Sequence, residues 1–126
     1  MSAPQFVIDP QCHGRAAREA AVLRAILWDD PRRRRIWQRR IRRQGDGSQI
    51  HQAAVARVLA QWLYDAGEAS ENDEQLPRRL KDAVSRALSG KVRLPALLKE
   101  AVLEAFEVDD ATAVLLWDPP EVGRAA

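Results

Sequence analysis

The sequence is poor in the features that define several common classes of protein. It has one cysteine, Cys12, among 126 residues, so a disulfide within the chain is excluded and a reducing compartment is favoured. Its apolar runs are only a few residues long, far short of the ~20 residues of a membrane-spanning helix. No basic segment followed by an apolar one opens the chain, so we expect no signal peptide. These absences predict a cytoplasmic protein that does not associate with a membrane.

The spacings typical of catalytic and metal sites are also missing. There is no Gly-rich phosphate loop, no pair of carboxylates and no nucleophile with a base in a recognisable pattern. Cys12 and His13 are adjacent and no second pair of ligands follows, so no metal site is predicted. His51 lacks a suitable partner, and we interpret it as a surface residue. We therefore predict no enzymatic activity, no cofactor and no small-molecule substrate.

The net charge of +2 conceals a strong segregation of charge along the chain. Residues 31–61 carry nine basic groups and one acidic group, and residues 77–93 carry six and one. Two other segments each have a net charge of −5: residues 62–76 carry no basic and five acidic groups, and residues 94–126 carry two basic and seven acidic groups. This alternation predicts a polarised surface, suited to a polyanion or to charge-matched self-assembly. Arginine supplies 17 of the 20 basic residues. Such a bias often reflects GC-rich coding, so the arginine count alone is a weak indicator of nucleic-acid binding.

Apolar residues recur at helical spacing through most of the chain, without a strand pattern or an internal repeat. We therefore predict an all-α fold, a compact bundle of five to six helices. The boundaries predicted are a flexible N-terminal arm over residues 1–13, a single helical domain over 14–118 and a C-terminal tail over 119–126. The helix over 49–66, with Ser48 as its N-cap and Gly67 as its stop, has the broadest apolar stripe and is the expected central helix.

The last two helices are predicted with specific faces. A helix that starts at Leu94-Pro95 and runs to Phe106 is expected to place Lys99 on its outer surface. Asp109 or Asp110 is expected to cap a short final helix through Trp117, with Val114 and Leu115 facing inward.

The stretch from Leu76 to Pro95 is the most informative in the chain. Apolar residues from Leu80 to Leu88 share one side of a helix, while basic and polar residues occupy the other. Gly90 stands at the C′ position, where a positive φ is required. The pattern predicts an amphipathic helix with a basic outer face.

A second basic element precedes the central helix. The segment 31–44, with Pro31 at the first helical position, holds eight arginines between Arg32 and Arg43. As one helix it would line up Arg35, Arg39 and Arg42. Guanidinium groups bind phosphate oxygens, which favours a phosphate-contacting helix. A solvated surface, or one paired with the acidic segments, is the structural alternative.

The run Val84 to Lys91 (VSRALSGK), followed by Leu94 to Phe106 (LPALLKEAVLEAF), resembles the Cro/C1-type (lambda-repressor-like) helix-turn-helix DNA-binding proteins. The resemblance covers residues 31–117, and its specific part is the end of the recognition helix. The chain departs from the family in the acidic loop Gly67–Leu76, a long insertion between the two central helices. The resemblance implies a helix-turn-helix-like core and a transcriptional regulator that reads double-stranded DNA with the helix over 77–90. The DNA-binding residues implied there are Arg78, Lys81, Ser85, Arg86 and Lys91. Arg35, Arg39 and Arg42 are the phosphate contacts predicted on the Arg-rich helix.

Two other functions remain open at this point. The chain could be an adaptor or homodimer whose Arg-rich face meets an acidic partner, because tryptophan and arginine are favoured at interface hot spots. It could also bind RNA or another polyanion without reading a groove.

Overall fold

The computed structural model describes residues 10–41 and 49–120, with side chains from Gly14 onward. All regular secondary structure in these residues is helical, which confirms the predicted all-α class. The helices are α1 (Pro10–Trp28), α2 (Pro31–Gln38), α3 (Gln52–Asp65), α4 (Leu76–Leu88), α5 (Ala96–Ala105) and α6 (Asp110–Trp117).

The bundle is organised around α3, as its apolar stripe predicts. Helix α3 packs most extensively on α4, and also on α2 and α5. Helix α1 packs on α2, α4 and α6, and α5 contacts α6. The core between these helices contains side chains with no more than 1% exposure from five of them: Ile26, Leu27, Trp37, Val55, Leu59, Val102 and Leu116. Each large apolar side chain buried here stabilises the fold by about 1.5–3 kcal/mol.

Several predicted helix ends are confirmed. Gly67 and Gly90, which follow α3 and α4, both have φ of +75°. Asp109 is the N-cap of α6 and accepts a hydrogen bond from the Thr112 amide. Pro31 is at the start of α2, where the carboxylate of Asp30 accepts from the Arg32 amide at 2.8 Å. Caps depend on side chains next to the helix in sequence, so the sequence predicts them well.

Other helix boundaries differ from the prediction. Helix α1 begins at Pro10, which places part of the predicted arm in a helix, and residues 1–9 lie outside the described residues. Helix α2 ends at Gln38, after which the amides of Arg40 and Ile41 bond to carbonyls three residues back. Like charges one turn apart destabilise a helix, which accounts for the early end of the arginine-rich segment.

The start of the central helix was also predicted too early. Helix α3 begins at Gln52, and its N-cap is His51, whose Nδ1 accepts a hydrogen bond from the Ala54 amide at 3.1 Å. His51 is therefore a half-buried capping residue. Ser48, the predicted cap, lies outside the described residues.

Two predictions of burial were wrong. Lys99, expected on the outer surface of α5, is only 2% exposed. Val114 and Leu115, expected to face inward, are 63% and 42% exposed, and Leu116 is the buried residue of α6. Helix α6 is apolar on almost every side, so its sequence pattern does not define which face is buried.

No helix in the described part of the chain is both long and apolar enough to cross a bilayer.

Candidate nucleic-acid interface

Helix α4 separates an apolar face from a basic one along its whole length. The inward residues Leu76, Leu80, Val84, Ala87 and Leu88 are buried. On the outward side, Arg78, Lys81 and Arg86 are exposed, and Ser85 is half-buried between them. Asp82 is also exposed on this side. The spacing of three and four residues places these side chains on neighbouring turns of one surface, which we call the α4 basic face.

Helix α1 holds the C-terminal end of α4 in place. The guanidinium of Arg24 donates a hydrogen bond to the Leu88 carbonyl at 2.5 Å. Beyond that carbonyl, Gly90 lies so close to α1 that a Cβ added to it would be 3.2 Å from the Cα of Ala17. Glycine is therefore required at this position both by its φ and by the distance between the two helices.

The segment after α4 continues the basic surface and is anchored beneath it. Lys91 and Arg93 are exposed. The carboxylate of Glu19 in α1 accepts a hydrogen bond from the Leu94 amide at 2.5 Å, and it forms ion pairs with Arg93 at 3.5 Å and with Lys99 at 2.8 Å. Glu19 and Lys99 are about 3% exposed at their side chains. The ion pair between Glu19 and Lys99 therefore fixes the start of α5 against α1. The segment that joins α4 to α5 is held between them, and its Lys91 extends the α4 basic face beyond the end of the helix.

The acidic loop between α3 and α4 is folded against both helices. The Tyr64 hydroxyl donates to the Asp73 carbonyl at 2.9 Å, and the Asp73 carboxylate forms an ion pair with Arg79 and accepts from the Gln75 amide. The charge of Asp73 is therefore neutralised, whereas Glu71 and Glu74 are exposed near the N-terminus of α4. The loop Ala66–Gln75 makes this pair of helices different from the tight helix-turn-helix unit that the resemblance implies.

The arginine-rich segment is divided between structural and exposed roles. Arg33 is 13% exposed at its side chain and forms ion pairs with Asp109 at 3.0 Å and Asp30 at 3.7 Å. The guanidinium of Arg34 lies over the ring of Trp28, 4.8 Å from its centroid. Arg35 is exposed on α2. Only part of this segment is therefore available to a partner.

The remaining predicted site residues of this segment lie at or beyond the end of α2. Arg39 is the C-cap of the helix and is exposed. Arg42 lies outside the described residues.

The two basic elements do not pack closely on each other. Helices α2 and α4 both pack against α1 and against α3, and any contact between α2 and α4 themselves is slight. The structure brings Arg78, Lys81, Ser85, Arg86 and Lys91 together on and just beyond one helix, and places Arg35 and Arg39 elsewhere on the bundle.

A groove beside the end of α2 combines arginine with apolar side chains. Arg39 and Arg40, just after α2, line it together with Ile36 and the half-buried Trp62 on its apolar side, and its volume is about 330 Å³. The sequence contains both the arginines and the tryptophan, but it does not show that they line one groove, because this depends on the packing of α2 against α3.

Metal-ligating side chains do not form a candidate metal site in the described part of the chain. No group of three histidine, cysteine, aspartate or glutamate residues is placed there to hold a metal ion. At Asp109, hydrogen bonds from the Thr112 hydroxyl and amide lower the pKa of the carboxyl below its ordinary value of 3.8, and Arg33 adds to this effect. The lowered pKa of Asp109 therefore results from its role as the N-cap of α6.

Comparison of the chain with protein-family models, with curated proteins and with solved structures finds no match.

Proposed function

We propose that this protein binds double-stranded DNA through the α4 basic face and acts as a sequence-specific transcriptional regulator. The observation that carries the proposal is the arrangement of Arg78, Lys81 and Arg86 on the exposed side of a helix whose other side is fully buried. A helix of this width fits the major groove of duplex DNA. Because its inner face is packed on α3, the helix can present its outer face as a rigid surface.

Different residues of the α4 basic face suit different parts of the duplex. Arg78, Lys81 and Lys91 are suited to phosphate oxygens, which contribute affinity without sequence information. Ser85 and Arg86 lie on the central and C-terminal turns, and arginine is the side chain that most often recognises guanine in the major groove. The ion pair between Asp73 and Arg79 holds the acidic loop against the start of α4, and it compensates one acidic and one basic group together.

The test is a salt titration of binding to short duplexes by fluorescence anisotropy. Affinity should fall linearly on logarithmic axes, with a slope of about −0.9 for each phosphate contacted. Lys81→Ala should weaken binding to all sequences and reduce the slope by about one, while Arg86→Ala should relax the preference at one base position by about 1–3 kcal/mol. Arg35→Ala is the matched control, because it removes an exposed arginine from α2. If no duplex binds at low salt, or if Arg35→Ala weakens binding as much as Lys81→Ala does, the assignment to α4 is wrong.

A second candidate function is an adaptor that binds an acidic partner through the groove at α2. The supporting observation is that Arg39, Arg40 and Trp62 line one groove. Arginine and tryptophan are enriched at interface hot spots. Binding of an acidic peptide with an aromatic anchor, measured by calorimetry, should be lost in Trp62→Ala and retained in Lys81→Ala. Loss in Lys81→Ala instead would assign the acidic ligand to α4.

A further inference from the structure

The guanidinium of Arg93 lies at the boundary between the protein interior and solvent. Arg93 belongs to the segment between α4 and α5, and its side chain is 44% exposed. Its Nε donates a hydrogen bond of 3.5 Å to the carboxylate of Glu19, whose side chain is only 3% exposed. Within the described residues, Arg93 has no second ion pair. One edge of the guanidinium therefore meets a buried carboxylate, and the other edge is free.

Two cations share the carboxylate of Glu19. The ammonium of Lys99 lies 2.8 Å from it, and both of these side chains are about 3% exposed. The Leu94 amide donates to the same carboxylate at 2.5 Å. Because Glu19 and Lys99 already compensate each other, the charge of Arg93 is left in excess. This excess positive charge lies on the exposed member of the cluster, where an anion from solvent can reach it.

The free edge of the Arg93 guanidinium suits a phosphate group. Arginine carries a planar fork of N–H donors that matches two phosphate oxygens. Since Nε is bonded to Glu19, the two terminal nitrogens remain as donors, and the carboxylate limits the rotation of the side chain. A side chain that is oriented before binding loses less conformational entropy when the anion arrives.

The two ends of α4 differ in their suitability for a DNA strand. The helix has 13 residues and is about 20 Å long, whereas the major groove is about 12 Å wide, so an end of the helix reaches the phosphates beside the groove. Glu71 and Glu74 are exposed near the N-terminal end and repel phosphate. Lys91 and Arg93 are exposed beyond the C-terminal end, where Glu19 is buried and paired. The C-terminal end is therefore the one suited to a phosphate.

We propose that Arg93, oriented by Glu19, binds one backbone phosphate beside the groove that α4 occupies. This inference rests on the proposed DNA-binding function and adds a contact outside the helix itself. Arg93 contributes affinity for all sequences alike, because a phosphate carries no sequence information. Glu19 is a positioning residue that does not touch the DNA.

The first measurement is fluorescence anisotropy of duplex binding over a range of salt concentrations. Arg93→Ala should weaken binding to every duplex by roughly tenfold and make the salt slope shallower by about 0.9. Arg93→Gln, a second neutral variant, should behave in the same way. Arg93→Lys keeps the charge but lacks the planar fork, so the slope should be retained while the affinity falls by a smaller factor.

The matched control is Arg35→Ala, which removes an exposed arginine from α2 and should change neither the affinity nor the slope. Arg93→Ala leaves Glu19 paired with Lys99, so the fold should be retained, which circular dichroism checks for every variant.

The second measurement identifies the phosphate that Arg93 contacts. A series of duplexes is prepared, each with one phosphate replaced by a neutral methylphosphonate. At one position the replacement should weaken binding of the wild-type chain and of Arg35→Ala by roughly tenfold. The same replacement should not weaken Arg93→Ala further, because that variant already lacks the contact.

The results that overturn the inference are distinct from those that overturn the proposed function. If Lys81→Ala weakens binding and the neutral Arg93 variants do not, Arg93 contacts no phosphate, while DNA binding through α4 stands. If Arg93→Ala relaxes the preference at one base pair, Arg93 contacts a base edge and the inference is wrong. If the wild-type chain binds no duplex at low salt, the proposed function and the inference fail together.

Discussion

The carboxylate of Glu19 and the ammonium of Lys99 form an ion pair of 2.8 Å between helices α1 and α5, and both side chains are about 3% exposed. Glu19 also accepts the Leu94 amide, and Lys99 lies 5.0 Å from the centroid of the Trp117 ring. The pair therefore links α1, the segment after α4, α5 and the end of α6. Charges removed from water in this way specify one arrangement of the helices, since a shifted helix would leave a buried charge without its partner.

Breaking this pair should be strongly destabilising. Glu19→Gln removes one charge and leaves Lys99 buried without it, so the free energy of unfolding should fall by about 3–5 kcal/mol in urea denaturation. The double variant Glu19→Gln with Lys99→Met should lose less than the sum of the two single losses, by about 0.5–3 kcal/mol. Additive losses would show that the two groups act independently.

The two glycines with positive φ offer a matched comparison. Gly67 and Gly90 have the same φ of +75°, and a Cβ at Gly67 would meet nothing within 4 Å, whereas one at Gly90 would be 3.2 Å from the Ala17 Cα. Gly67→Ala should cost only the backbone strain of roughly 1–2 kcal/mol. Gly90→Ala should cost about 1–3 kcal/mol more, because α1 and α4 must move apart. Equal losses by thermal or urea unfolding would contradict the close approach of these helices.

Trp37 should be the most sensitive aromatic residue in the chain. Its indole is fully buried, and Nε1 donates to the Leu27 carbonyl at 2.8 Å. Trp37→Phe leaves that carbonyl without its donor, which costs about 1–3 kcal/mol in the free energy of unfolding, and a small cavity adds to the loss. The control is Trp28→Phe, because Trp28 stacks on Trp37 at 6.3 Å but is only half-buried. A greater loss in the control would contradict this assignment.

Acid should weaken the cap of α6. The folded pKa of Asp109 is lowered by its hydrogen bonds to Thr112, so its ionised form stabilises the folded state at pH values above the ordinary pKa of 3.8. That contribution is lost as the pH falls from 3.8 through the lower folded pKa. Asp109→Ala should therefore lower the melting temperature at neutral pH and have a smaller effect below the folded pKa. The same loss at both pH values would show that the carboxylate charge is not involved.

Much of the secondary structure follows from residues that are close in sequence. The amphipathic pattern of α4 and the glycines after α3 and α4 predicted those elements because periodicity and capping are local. The predicted end of α2 was wrong, because like charges one turn apart weaken the arginine-rich helix. Local reasoning also failed at His51, since histidine is not among the usual N-cap residues.

The candidate site was predicted in part for the same reason. The α4 basic face lies on one helix, so its residues could be grouped from spacing alone. Arg35 and Arg39 could not be placed relative to it, because the position of α2 depends on contacts with α1 and α3 between residues far apart in the chain. The groove lined by Arg39, Arg40 and Trp62 could not be predicted from the sequence for the same reason.

The sequence by itself determined the all-α class, the amphipathic character of α4 and most of the helix ends. Tertiary structure alone decided that Lys99 is buried beside Glu19, that the two basic helices pack on α1 and α3 and not closely on each other, and that Val114 and Leu115 are exposed. Local patterns specify which residues share a helix face. Whether that face is covered depends on which other helix packs against it, and this is settled by contacts that no short stretch of sequence contains.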